Sequence, residues 1–412
     1  MRSGTSRVMP VEQTIRPYVE PFLPEPRPRW STNAGRLASI DLLRGLVMVV
    51  MALDHVRGYL SAARFDPTDL AQTSLPLFLT RWVTHYCAPT FILLAGMSAW
   101  IAGQRRSPRE LSLFLLSRGL WLVVLEFTLV NFGRHFHVPF NPIVAQVMWA
   151  IGASMIILAG LVRLPRAAVA VIAVALIAGH NLFDSVQPAD LGALAPLWIV
   201  LHVRAPIPSL GVMVVYPLLP WIGVMALGWV LGPLLRRPPG ESRRRFFLLG
   251  AAMTLGWLVL RLANQYGDPV AWQVQDSATK TVMSFLAVTK YPPSLAFLLM
   301  TLGPALMALA VIDRVRGPIA ALLLPFGQVP LFYYVLHIYP IHALAMLVGA
   351  VQGFGPSVTA QAFTAFPQHG YGLSLPMVYV CWALVVVALY PLCRRFAEFK
   401  QRNRGAWWTS YV

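Results

Sequence analysis

Acid is scarce in this chain. Only 16 Asp and Glu residues stand against 33 Lys and Arg, and charged residues of every kind make up 12% of the whole. Soluble domains carry about a quarter, so an ordinary water-soluble globule is excluded. Cysteine is equally sparse. The three present, Cys87, Cys381 and Cys393, have neither Cys-x-x-Cys spacing nor an even count, which excludes a disulfide scaffold and a thiolate zinc site. No period of about 20 to 50 residues recurs, so a solenoid is excluded as well. The stretch up to Trp30 lacks the apolar core of a signal peptide; rich in Pro and charge, it reads as a disordered cytoplasmic tail over 1–35.

What fills the chain instead is apolar. Hydrophobic residues reach 57%, and they fall into runs long enough to cross a bilayer. The reading is an all-α polytopic integral membrane protein of ten spans, near 37–60, 82–102, 111–132, 144–162, 167–183, 212–235, 246–262, 294–312, 328–352 and 375–392. Residues 36–393 form one membrane domain, and 394–412 a cytoplasmic tail.

The net charge of +17 invites a nucleic-acid reading, but its placement follows the membrane. Of 33 Lys and Arg, 23 occupy alternate segments, including 103–110, 236–245 and the region after Leu392; eight occupy the other connections, and Arg44 and Arg118 lie inside spans. The positive-inside rule then puts both termini in the cytoplasm and argues against a nucleic-acid partner. The long connections 61–80, 184–211, 263–293 and 353–374 become external. His55, His85, His135, His137, His180, His202 and His369 map to the outer half or outer loops, with His337 and His342 in the ninth span, so proton-transfer groups concentrate toward the outer leaflet.

The first span carries Asp41, Arg44, Asp54 and His55. At 100° per residue, Asp41, Arg44 and His55 fall within about 40° of one another on one helix face. Ionisable groups at that depth cost roughly 2.5 to 3.5 kcal/mol each on insertion scales, so such a stripe faces protein or a polar cavity. Asp41 and Arg44, three apart, can neutralise each other. Glu126 lies two turns from Arg118, which favours a partner for it on another helix.

The order Arg36, Asp41, Arg44, Gly45 and His55 resembles the first-helix signature of the transmembrane acyltransferases. That superfamily includes the heparan-alpha-glucosaminide N-acetyltransferase catalytic-domain family and the bacterial O-acyltransferases that decorate surface glycans. APTFILLAGMSAW (88–100) resembles the P-x-F-x-x-x-x-G segment of the former, and FGQVPLFYYVLHIYPIH (326–342) its late helix with Gly, Tyr and His. Where the heparan-type enzymes place a catalytic histidine between the first two helices, 61–80 has none, and His55 matches the surface-glycan enzymes instead.

The resemblance implies a fold of about ten helices in the bacterial inner membrane that moves an acyl group, acetyl in the first instance, from cytoplasmic acyl-CoA to an extracytoplasmic glycan or similar hydroxyl or amine acceptor. It implies Arg44, Asp41 and Arg118 at the CoA, and His55 as the base or acyl carrier, oriented by Asp54 or Glu126. His85 and His337 are the reserve bases. No metal or haem is expected. The partners are the bilayer, acyl-CoA, the glycan acceptor and, as a further candidate, a second copy of the chain. Two other classes stay open: a proton-coupled transporter or flippase whose Pro325, Pro330 and Pro340 break a gating helix, and a haem or quinone protein, disfavoured because His337 and His342 lie about 140° apart around one helix.

Overall fold

The computed structural model describes residues 32–140, 142–354, 370–403 and 405–411. The expected tail up to residue 31 and His369 lie outside the described residues. The architecture is an all-helical membrane bundle. Eight of its helical segments are long and apolar enough to cross a bilayer among the described residues. Two more complete the ten expected. One is α1 (Thr32–Leu60), whose charges set it apart from the others, and one is α6 (Val147–Leu161), which is short.

In chain order the remaining helices are α2 (Leu75–Thr84), α3 (Cys87–Gly103), α4 (Pro108–Leu125), α5 (Asn131–His135), α7 (Arg166–Gly179), α8 (Ala195–Leu201), α9 (Leu219–Leu231), α10 (Pro239–Ala263), α11 (Ala278–Leu286), α12 (Leu295–Val311), α13 (Gly317–Gln328), α14 (Pro330–Val351) and α15 (Leu375–Arg402). The basic connections at 103–108, 161–166, 236–239 and 314–317 share one end of the bundle with the last turns of α15. We call that end inner.

Two expected spans start too early. Residues 143–145 and 212–214 are strands, β1 (Ile143–Ala145) and β3 (Val212–Val214), which pair in parallel, with β2 (Ala205–Ile207) antiparallel on the far side of β3. Short β-branched runs are ambiguous by periodicity alone. Here the tertiary pairing decides, and a small sheet sits at the outer end where the sequence suggested helix.

The expected ninth span, 328–352, is α14, but the connection expected before it contains a further helix, α13. Val329 leaves the helical region at φ −127° and ψ 52° ahead of Pro330, ending α13 and starting α14. At 12 residues, or roughly 18 Å, α13 is too short to span, yet it packs tightly on α1. A Cβ at Gly45 would collide with the Leu323 carbonyl, and one at Gly327 with the Asp41 carbonyl, so only a glycine pair admits this approach. Helix α1 also packs against α3, α12, α14 and α15, which makes it central. At the C-terminus, α15 runs on to Arg402 and the following turn returns to α4, where Tyr411 Oη lies 2.8 Å from Ser117 Oγ. The expected tail is thus docked on the domain.

Candidate functional site

Two cavities meet near the middle of the bundle. The inner one encloses about 300 Å³ and takes its polar lining from Arg44, Ser98, Arg118, Gln328, Tyr334 and Lys400. Arg44 is fixed by Asp41 Oδ1 at 3.0 Å, Ser98 Oγ at 2.9 Å and the Gly327 carbonyl at 3.3 Å. The glycine contact between α1 and α13 therefore also delivers an acceptor to the guanidinium. Arg118 lines the same cavity without an ion pair among the described residues.

The outer cavity, about 470 Å³, is strongly cationic. Arg57, Arg64, Arg81, Arg134, Arg204 and Lys290 line it together with Asp54, His55, Asp66, Tyr216 and Tyr291. Burial and Asp54 raise the Tyr291 hydroxyl, but Lys290, Arg81 and a hydrogen bond from Tyr216 outweigh them and bring it down to about 8.

Between the cavities stands a pair of histidines. His55 Nδ1 lies 2.6 Å from His337 Nε2, and His337 Nδ1 lies 3.0 Å from the Tyr333 carbonyl. A carbonyl can only accept, so His337 Nδ1 carries the proton and, in the neutral ring, its Nε2 is bare. His55 Nδ1 must then be the donor. Its Nε2 is left as a lone pair on a ring that lines the outer cavity. Tyr334, which lines the inner cavity, meets the His55 ring edge-on at 6.4 Å. At this point the partition is two rings thick.

The structure redistributes the residues that the sequence singled out. Asp41, Arg44 and Arg118 gather at the inner cavity, and His55 and His337 at the partition. The helix-face stripe is split, with Arg44 below the partition and His55 about 16 Å further along. Asp54 does not orient His55: it accepts from Arg57 at 3.0 Å and Arg81 at 2.5 Å. Glu126 does not orient it either. Fully buried, it takes Arg134 at 2.6 Å and caps the first amides of α6 through Met148 N at 3.1 Å. Its partner comes from the same segment rather than another helix, because residues 126–130 form a π-helical turn before α5. His85 is buried against Phe297, lines neither cavity, and leaves Nδ1 without a hydrogen-bond partner.

The sequence missed Arg134, whose guanidinium also meets Gln146 at 2.8 Å and Tyr334 at 3.4 Å. It missed Lys400 at the inner cavity, and the convergence of six outer cations. The last had a signal: of the eight cations placed against the positive-inside bias, these are six.

Residues 36–262 match the family described as heparan-alpha-glucosaminide N-acetyltransferase, catalytic. The chain belongs to this family. No curated protein matches it. In this acetyltransferase-family chain the matched segment contains Arg44, His55, Arg118 and Arg134, whereas Lys290, Tyr291, His337 and Lys400 lie beyond it. Half of the partition and part of each cavity are therefore furnished by the segment after the match.

Proposed function

We propose that this protein is a membrane acetyltransferase that takes acetyl-CoA into the inner cavity and passes the acetyl group to an amine or hydroxyl acceptor, such as a glycan, in the outer cavity. The inner end is read as cytoplasmic from the arginine bias. Arg44, Arg118 and Lys400 hold the CoA phosphates through charge-assisted contacts. From there to His55 is about 16 Å along α1, a span that an extended pantetheine arm covers, so the thioester reaches the partition.

The single observation that carries the reading is the 2.6 Å contact between His55 Nδ1 and His337 Nε2 at the partition, from which the tautomer is inferred. With Nδ1–H committed to His337, the bare Nε2 of His55 faces the outer cavity as a general base. As the acceptor nitrogen or oxygen attacks the thioester carbonyl, Nε2 takes its proton. The new C–N or C–O bond forms, the C–S bond breaks, and the CoA thiolate leaves on the inner side and receives the proton. His337 acts through His55 as a positioning residue, in the manner of the orienting carboxylate of a catalytic triad.

The test is transfer by purified protein from radiolabelled acetyl-CoA to a panel of glycan acceptors. His55→Ala is expected to fold, bind acetyl-CoA and lose about 10² to 10⁴ in rate. Without acceptor, a base leaves no label on the protein, whereas acyl-histidine would trap it. If His55→Ala kept full transfer while His85→Ala lost it, the partition would not be the reacting centre.

A further inference from the structure

One hydroxyl joins the walls of the two cavities. Tyr334 is buried and lines the inner cavity, whereas Arg134, whose Nη2 lies 3.4 Å from Tyr334 Oη, lines the outer one. The same tyrosine ring meets His55 edge-on at 6.4 Å and His337 at 5.6 Å. Arg44 and Ser98, in the same inner cavity, are committed elsewhere: to each other, to Asp41 and to the Gly327 and Leu94 carbonyls.

The bonding around Tyr334 leaves its hydrogen available. Arg134 gives Nη1 to Glu126 at 2.6 Å and Nη2 to Gln146 at 2.8 Å, so the guanidinium is fixed, and having no lone pair to offer it can only donate to Tyr334 Oη. No acceptor for the Tyr334 hydrogen lies within hydrogen-bond reach among the described residues. A hydroxyl that accepts from a cation is polarised, and its own hydrogen becomes the stronger donor. A preorganised donor of this kind is worth most where negative charge develops during a reaction.

We propose that Tyr334 is a catalytic residue that donates its hydroxyl hydrogen to the thioester oxygen as charge builds there, with Arg134 as its positioning residue. The proposal rests on the acetyltransferase reading and names a group that the reading did not use. As the acceptor's lone pair forms the new bond to the carbonyl carbon, the C=O π pair moves onto oxygen. The Tyr334 O–H holds that charge by a hydrogen bond, without giving up the proton. The pair then returns, C=O is restored and the C–S bond breaks. His55 takes the proton of the nucleophile, and Tyr334 steadies the oxygen that receives the electrons.

The test compares acetyl-CoA with its dithioester analogue, in which sulfur replaces the carbonyl oxygen and accepts hydrogen bonds poorly. In Tyr334→Phe, kcat for acetyl-CoA is expected to fall by about 10² to 10³, while its KM holds because the inner cations are untouched. The wild-type preference for oxygen over sulfur should shrink about tenfold or more, since phenylalanine donates to neither. A side chain that only packs would slow both donors alike. Arg134 keeps Glu126 and Gln146 in this variant, so thermal unfolding should not move. Arg134→Lys retains a charge for Glu126 but withdraws the guanidinium from Tyr334, and should shrink the oxygen preference in the same direction by a smaller factor. Full kcat in Tyr334→Phe, or an oxygen preference unaltered in either variant, would overturn the proposal. A wild type that transfers acetyl to no acceptor would instead remove the acetyltransferase reading, and the proposal with it.

Discussion

Replacing His337 by phenylalanine removes the acceptor of the His55 Nδ1 proton while keeping an aromatic ring of similar size between Tyr333 and His55. Two outcomes follow from the 2.6 Å contact. If His55 keeps its tautomer, a buried N–H goes unsatisfied at a cost of about 1 to 3 kcal/mol. If it switches, Nε2 acquires the proton and ceases to be a base, and the rate falls by about 10² to 10⁴. Glutamine at 337 can present a carbonyl oxygen near the former Nε2 and should retain most of the rate. The assay is steady-state acetyl transfer with both substrates varied. In the Phe variant kcat should fall while the KM for acetyl-CoA holds, since the cations of the inner cavity are untouched. A Phe variant with wild-type kcat and an unshifted pH profile would show that the paired histidines are packing, and would remove the tautomer argument.

Arg44→Ala deletes a guanidinium held by three partners in the inner cavity, and acetyl-CoA affinity should fall by about 1.5 to 3 kcal/mol; equal affinity by calorimetry would make Arg44 structural. Glu126→Gln strands the buried Arg134 charge and should cost about 3 to 5 kcal/mol of stability; an unchanged denaturation midpoint would contradict the buried pair. Tyr291 faces Lys290, Arg81, Arg204, Tyr216 and Asp54, and its hydroxyl ionises near pH 8, adding negative charge to the outer cavity as pH rises. The KM for an anionic acceptor should therefore climb as pH passes about 8 and stay level in Tyr291→Phe; a climb surviving in the variant would assign it to another group. A cysteine at the exposed Gly240 should react with an impermeant reagent only after cells are opened, and labelling of intact cells would reverse the bundle.

Sequence reading located the helices well because each apolar run exceeds what a strand can use. It failed at 143–145 and 212–214, where three apolar residues pair across a gap of 69 positions that no local pattern reports. The same limit governs the site. His55 and Arg44 were legible because charge inside an apolar run is anomalous by itself. The His55–His337 contact bridges 282 positions, and the role of Asp54 was misread because its real partners, Arg57 and Arg81, had been counted only as connection charges. Glu126 was misread for a different reason. A uniform α-helix puts residues eight apart about 80° from each other, and the π-turn that alters this register leaves no mark in composition.

The thin partition has an electrical consequence. Where polar cavities enter a membrane protein from both sides, the low-dielectric thickness shrinks to what separates them, so in the proposed orientation an energised membrane would drop much of its voltage across Tyr334 and the His55–His337 pair. In the proposed reaction, a proton taken from the acceptor at His55 and ending on the CoA thiolate would travel inward through that drop. With the interior negative, it gains up to about 2.3 kcal/mol per 100 mV. Acetyl transfer would then run faster in proteoliposomes carrying an inside-negative potassium diffusion potential than in the same vesicles short-circuited, and equal rates would place the proton's whole path on one side of the wall. A reaction with no ion to transport would thereby be geared to the charge state of the membrane that contains it.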